Sequence, residues 1–283
     1  MASFTNFATL SYNGGTINSN TVVGELLETL SVTKSAVTNG YSAEDDITYV
    51  VSLVNSGTTA LNGLSISDDL GGYVFDGDTV YPLRYTAGSV RYYVNGVLQA
   101  APTVVAGPPM VISGINVPAG GNAIVIYEAD VTAFAPLASG AEIVNEATVS
   151  GGGLSSPISA TETVGAAGDA ALTVSKAISP AVVAENGQLT YSFVIENSGN
   201  TAAVATDDVV LSDVFDPILE NIAVIYNGIV WTEGVNYTYN ETTGEFATLP
   251  GQITVSAADY TQNPDGTWTV TPGTASLSIT GTV

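Results

Sequence analysis

The sequence predicts an all-β protein made of two tandem β-sandwiches, the second incomplete. Three observations carry this. Short alternating runs rich in Val, Ile, Thr and Tyr, punctuated by Gly, Pro and Asn-Gly, fill all 283 residues. A set of motifs recurs once along the chain. A segment resembling the closing strands of the first copy stands at the N-terminus, and the second copy has no such strands of its own.

Residues 1–27 come first. In "FTNFATLSY" strand alternation puts Phe4, Asn6, Ala8, Leu10 and Tyr12 on one face. "YNGG" at 12–15 is a turn signal, so a hairpin reaching Leu26 is open beside a single strand. The first sandwich is expected over 28–164, with strands in "LSVTKSAV" (30–37), "ITYVVSLVNSG" (47–57), "ISDDL" (66–70), "YVNG" (93–96) and "VPAGGNAIVIYEADV" (117–131). It ends in a loop, a strand containing "IVNEATVS" (143–150), a Gly turn and one more strand. "AAGDAA" (166–171) is too short for a helix, and a linker is placed at 165–170. The second sandwich, 171–283, repeats the series as "LTVSKAIS" (172–179), "LTYSFVIENSG" (189–199), "LSDVF" (211–215), "IYNG" (225–228) and "TPGTASLSITGTV" (271–283).

Composition bounds the function. About two domains of ordinary size fit the length. Charged residues are 11% of the chain, against roughly 25% in typical globular proteins. Surface polarity therefore falls to Thr, Ser, Asn and Gly. The formal charge is −23, and Lys34, Arg84, Arg91 and Lys176 are the only basic residues. Binding to nucleic acid needs clustered cations and is disfavoured, as is an anionic membrane. The chain has neither Cys nor His, which excludes disulfides, thiolate or imidazole metal sites and histidine-based catalysis. No nucleophile–base pair for an external substrate is visible, so no enzyme, cofactor or metal is expected. No secretory h-region follows Met1 and no apolar run is long enough to span a bilayer. An extracellular location then requires that a signal has been removed or that export takes another route.

The motifs together, a strand ending in Lys, then "TY…NSG", a strand ending "SD" and a closing "N-x-A-T-V", resemble the bacterial and archaeal surface-repeat family called domain of unknown function eleven. The resemblance covers both copies and implies an immunoglobulin-like sandwich. The second copy departs from it by lacking the "N-x-A-T-V" strand. What is missing there resembles residues 4–26, as in a circularly permuted array. A sandwich without its end strand exposes a groove and unpaired backbone groups, and a strand from another molecule would fill it. Such donation is head-to-tail and propagates into a filament. A remnant of a preceding repeat, a disordered leader and insertion within one chain are the alternatives.

Alternation also points three polar residues of each copy inward. Lys34 is in phase with Leu30, Val32 and Ala36, and Lys176 with Leu172, Val174 and Ile178. Asp68 and Asp213 fall on stripes of the same kind, and Asn145 and Asn6 lie on the closing-strand stripes. Unpartnered burial of such groups costs several kcal/mol, so they are expected to meet. Lys, Asp and Asn on adjacent buried strands resemble the isopeptide sites of Gram-positive adhesins and pilins. That resemblance implies a bond between Lys34 and Asn145 within one molecule, with Asp68 handling the proton. It implies a second bond, between molecules, from Lys176 to Asn6 beside Asp213. An ion pair hydrogen-bonded to the amide, with no covalent bond, is the alternative.

Other signals are weaker. Acidic pairs at Asp45–Asp46, Asp76–Asp78 and around Asp265 read as solvated turns rather than Ca²⁺ loops. Trp231, Tyr237, Tyr239 and Trp268 suggest either a sugar platform or ordinary strand packing. "NYT" at 236 and "NET" at 240 match the glycosylation pattern by chance in so Asn- and Thr-rich a chain. The expected role is the subunit of an extracellular, cell-surface filament whose partners are identical subunits. The rival is an adhesin or carbohydrate-binding repeat protein.

Overall fold

A computed structural model of the chain describes residues 2–26, 29–38 and 40–283. Apart from a 3₁₀ turn at Ala205–Asp207, the regular structure of these residues is all strand. Four short strands open it: β1 (Ala2–Asn6), β2 (Thr9–Tyr12), β3 (Gly15–Asn18) and β4 (Val22–Leu26). They form one long hairpin, β1 against β4 and β2 against β3. It turns on Asn13 and Gly14, whose φ values of 45° and 80° are those of the turn that Asn-Gly favours.

The first sandwich follows with β5 (Leu30–Ala36), β6 (Asp46–Asn55), β7 (Leu61–Asp68), β8 (Tyr73–Phe75), β9 (Asp78–Val80) and β10 (Leu83–Tyr85). It continues with β11 (Arg91–Val94), β12 (Val97–Leu98), β13 (Thr103–Val105), β14 (Met110–Val117), β15 (Asn122–Val131), β16 (Glu142–Gly151) and β17 (Ile158–Gly165). One sheet runs β12-β11-β15-β6-β5, with β10 also on β15, and the facing sheet runs β13-β14-β7-β16-β17. Period-two patterning builds the core between them: Ile47, Tyr49, Val51 and Leu53 of β6 are buried, as are Ala123, Val125, Tyr127 and Ala129 of β15. β17 lies beside β5 and so closes the sandwich on that flank.

The second unit comprises β18 (Leu172–Ser179), β19 (Gln188–Asn197), β20 (Ser212–Val214), β21 (Glu220–Tyr226), β22 (Ile229–Val230), β23 (Tyr237–Tyr239), β24 (Glu245–Thr248), β25 (Asp259–Gln262), β26 (Trp268–Thr271) and β27 (Gly273–Thr282). Its sheet β18-β19-β27-β21-β22 repeats the strand order of the first sandwich. The facing sheet has three strands, β20-β24-β23. Matched to the first sandwich, these are the counterparts of β7, β14 and β13. Among the described residues nothing stands where β16 and β17 would be.

The repeated "NSG" motif is structural. Asn55 is fully buried, accepts from Gly57 N–H at 3.0 Å and donates to the carbonyls of Thr59 and Pro118 at 2.8 and 3.0 Å. Asn197 accepts from Gly199 N–H at 3.0 Å and donates to Thr201 and Ser256 at 2.8 and 3.0 Å. Each amide thereby satisfies backbone groups that would otherwise be orphaned at the end of a central strand. The stretch expected to be a linker begins within the first sandwich: Gly165 accepts from Tyr41 N–H, and Ala167 N–H donates to the Tyr41 carbonyl. The β25–β26 hairpin reaches back to the first sandwich, where Trp268 N–H donates to Ala133 and the Gln262 amide donates to the Tyr73 hydroxyl.

Candidate functional site

In the first sandwich Lys34 comes from β5 in one sheet and Asp68 from β7 in the other, and alternation points both into the interior. Lys34 Nζ meets Asp68 Oδ2 at 2.7 Å, and neither side chain is accessible to solvent. The same carboxylate oxygen accepts the Tyr127 hydroxyl, and Oδ1 accepts Leu70 N–H at 3.1 Å. The Lys34 ammonium stands 4.8 Å from the centre of the Tyr49 ring, a favourable cation–π contact. Burial holds the Lys34 amine below its ordinary range, while Asp68 pulls it back up. Burial raises the hydroxyls of Tyr49 and Tyr127 in the opposite sense, because there the anion is the charged form.

Asn145 completes the set. On β16 the Cα partner of Asp68 is Ala147, so Asn145 faces the same interior two residues along. Its side chain is fully buried beside Tyr49 and Tyr127. Neither its Oδ1 nor its Nδ2 makes a hydrogen bond. An amide with both ends unpaired in a dry interior is costly, and it lies beside Tyr49, whose ring also faces the Lys34 amine.

The second unit carries the same pair in a different setting. Lys176 Nζ meets Asp213 Oδ2 at 2.5 Å, yet the two side chains are 41% and 19% exposed. The ammonium lies against the rings of Tyr191, Phe193 and Phe215, at 4.4, 5.6 and 5.7 Å from their centres. No residue of β18 is buried, and Val174 on its inward face is 61% exposed. β20 pairs with β24 on one side only. Asn6 is not near this pair within the chain; it sits on the N-terminal hairpin, whose apolar residues Phe4, Leu10 and Tyr12 are each more than half exposed. The structure therefore assembles Lys34, Asp68 and Asn145 in one interior, joins Lys176 to Asp213, and leaves Asn6 apart.

Sequence reasoning missed Tyr49, Tyr127, Tyr191 and Phe215. The signal was an aromatic set in an aliphatic stripe, since "TY" recurs in both copies at Tyr49 and Tyr191. The second site is no exact copy of the first. In β15 Tyr127 is the partner of Tyr49, whereas in β27 the partner of Tyr191 is Ile279, so Asp213 has no tyrosine in the place of Tyr127.

The aromatic platform is corrected by packing. Trp231 and Tyr237 are buried in the second core, Trp231 stacked on Tyr226 and Tyr237 tilted on Phe246. The Tyr239 hydroxyl donates to Leu219, and Trp268 lies on β26 against the first sandwich. The four share no common face. The acidic residues make turns: Asp45 accepts Ser42 N–H at 2.7 Å, Asp265 accepts Thr267 N–H at 3.0 Å, and Asp76 and Gly77 carry positive φ.

No protein-family model matches the chain, and no curated protein does. Among solved structures the chain is similar to a 35 kDa C-terminal fragment of the major pilin of Streptococcus agalactiae (9% identity, 52% of this chain and 58% of that one, TM-score 0.35). It is also similar to the pilus backbone of Streptococcus pneumoniae (11%, 86% and 55%, TM-score 0.34) and to the major pilin subunit of Bacillus cereus (12%, 96% and 73%, TM-score 0.34). The chain spans little more than half the length of the first two of these structures.

Proposed function

We propose that the protein is the subunit of an extracellular filament that grows head-to-tail, the N-terminal segment of one molecule entering the second unit of the next. The observation that carries this reading is the coexistence of an open sheet edge at β20 with an exposed N-terminal hairpin whose first arm carries an apolar stripe matching that of β16. Phe4, Asn6, Ala8, Leu10 and Tyr12 follow the alternation of Ile143, Asn145, Ala147 and Val149. By that correspondence Ala8 would face Asp213 as Ala147 faces Asp68, Thr9 would face Ser212 and Leu10 would face Leu211. Completing the burial of half-exposed Phe4, Leu10 and Tyr12 contributes roughly 1 kcal/mol each, and the backbone groups of β20 gain partners.

The chemistry of the triads follows from burial. With its cation disfavoured, Lys34 supplies a neutral amine; Nζ attacks Cγ of Asn145, an amide bond forms and the Cγ–Nδ2 bond breaks. Asp68 moves a proton from the amine to the leaving nitrogen, and ammonia departs, so no oxidant or cofactor is consumed. At the joint the same step would link Lys176 to Asn6 of the incoming segment once the strand has buried all three groups. Assembly and locking are then successive events.

Removal of residues 1–27 tests the reading, because the first sandwich has its own closing strands. The truncated protein should stay soluble and unpolymerised, and electron microscopy of the full chain should reveal uniform fibres. Fibres from the truncated chain would refute donation.

A further inference from the structure

We infer that the donated element is the whole N-terminal hairpin: its second arm, β3 and β4, covers β18 of the next copy while the first arm pairs with β20. The inference rests on the donor reading above and extends it to a second contact surface. Three observations lead to it.

The first is the count of missing strands. Two neighbours, β16 and β17, separate β7 from the flank of β5 in the first sandwich, and the second unit lacks a counterpart of either. A single donated strand would satisfy β20 and leave β18 uncovered. In the first sandwich β17 covers β5, and Ala36 N–H donates to Glu162 of β17 at 3.3 Å.

The second is register. In the β16–β17 hairpin Asn145 is opposite Glu162, Ile143 opposite Val164 and Val149 opposite Ile158. In the N-terminal hairpin Asn6 is opposite Val22, Phe4 opposite Gly24 and Leu10 opposite Ile17. Residues directly opposite share a face, so Ile17 and Val22 extend the apolar stripe of the first arm. The pairing differs by one extra residue in the second arm between Asn18 and Val22, a bulge that leaves the faces aligned at both ends.

The third is the segregation of the two faces. The reverse face carries mainly polar residues, Thr5, Thr9, Ser11, Thr16 and Asn18, with Phe7 and Val23 as its apolar members. The Phe4 ring lies over Gly24, where a Cβ would come within 2.3 Å of it, so the stripe is continuous across both arms. A second arm that merely trailed in solvent would have no use for an apolar side. Across the joint, β18 offers Leu172, Val174 and Ile178, all exposed. Val22 stands where Glu162 stands in the first sandwich, so the joint gains apolar cover over Lys176 and no second carboxylate.

Assembly of full-length variants, followed by light scattering and electron microscopy, separates the outcomes. Ile17→Asp and Val22→Asp should each slow fibre growth roughly tenfold or more, and Val23→Asp, on the polar face, should not. Leu10→Asp on the first arm should abolish growth. If Leu10→Asp blocks assembly while Ile17→Asp and Val22→Asp leave it at the wild-type rate, the second arm is not donated and a single strand is. If all three variants assemble normally, the donor reading falls as well. Because these side chains touch neither core, circular dichroism should match the wild type in every variant.

Discussion

Substituting the carboxylate in each site makes unequal losses, and the difference measures how open the second unit is. In Asp68→Ala the Lys34 ammonium stays in an interior with no solvent access, and breaking such a pair costs about 3–5 kcal/mol. The Tyr127 hydroxyl loses its acceptor as well, for about 1–3 kcal/mol. Since both partners share one oxygen, a combined loss of about 4–6 kcal/mol is expected. That lowers the melting temperature of the first sandwich by roughly 15–25 °C, and further if the substitution also prevents a covalent bond. At Asp213 the pair is 41% and 19% exposed, so screening leaves about 0–1 kcal/mol and a shift of a few degrees. The assay is calorimetry on the chain lacking residues 1–27, so that no donor can enter. Trp231 lies in the core of the second unit, and its fluorescence in a Trp268→Phe background assigns that unit's transition. Equal shifts in Asp68→Ala and Asp213→Ala would refute the reasoning, because they would mean that the second site is already closed in the free subunit.

The intact mass of the folded subunit should be lower than the sequence mass by one ammonia, with Lys34 and Asn145 recovered in one branched proteolytic peptide; Asp68→Ala should restore the full mass. Boiled in detergent, wild-type fibres should give a ladder of covalent oligomers, whereas Lys176→Arg fibres should fall to single chains. Complete dissolution of wild-type fibres would rule out the joint bond and leave the filament standing. Stability against pH separates bonded from unbonded Lys34. An unbonded amine with a folded pKa below its ordinary value of about 10.4 binds fewer protons folded than unfolded, so stability rises with pH up to that value. Asn145→Ala should therefore gain stability as pH rises toward about 10, and the bonded wild type should not. Above that, the raised hydroxyls of Tyr49 and Tyr127 act with the opposite sign, and both proteins lose stability.

Much of this was legible because sandwich strands bury alternate residues. That rule put Lys34, Asp68 and Asn145 inside, and the Asn-Gly turns at Asn13, Asn95 and Asn227 fixed where hairpins reverse. What alternation does not encode is cross-sheet proximity. Tyr127 reads as one more core aromatic until β15 is seen beside β6, and only then does its hydroxyl reach Asp68. Nor could the pattern separate Asp213 from Asp68. Both sit on the same kind of stripe, but β16 pairs beside Asp68 and, among the described residues, no strand pairs with β20 on that side. The β25–β26 hairpin was equally hidden, since it has no counterpart in the first copy and its contacts are with Ala133 and Tyr73.

The contrast between the two sites suggests why they are built from the same residues. A triad whose three members lie in one sandwich meets its burial as soon as the chain folds, so nothing would delay the proposed reaction. Splitting the set would change the timing without changing the chemistry. Lys176 and Asp213 lie in a half-open groove, and the amide proposed to react with them, Asn6, is on an exposed hairpin at the N-terminus. Under the proposed donation only a strand in the correct register would bring Asn6 to them, because a slip of one residue would turn Phe4, Asn6, Ala8 and Leu10 to the wrong face. The same insertion would exclude water from the pair. Recognition, desolvation and delivery of the amide would then coincide in one event, and a joint in the wrong register would stay unlinked and free to dissociate.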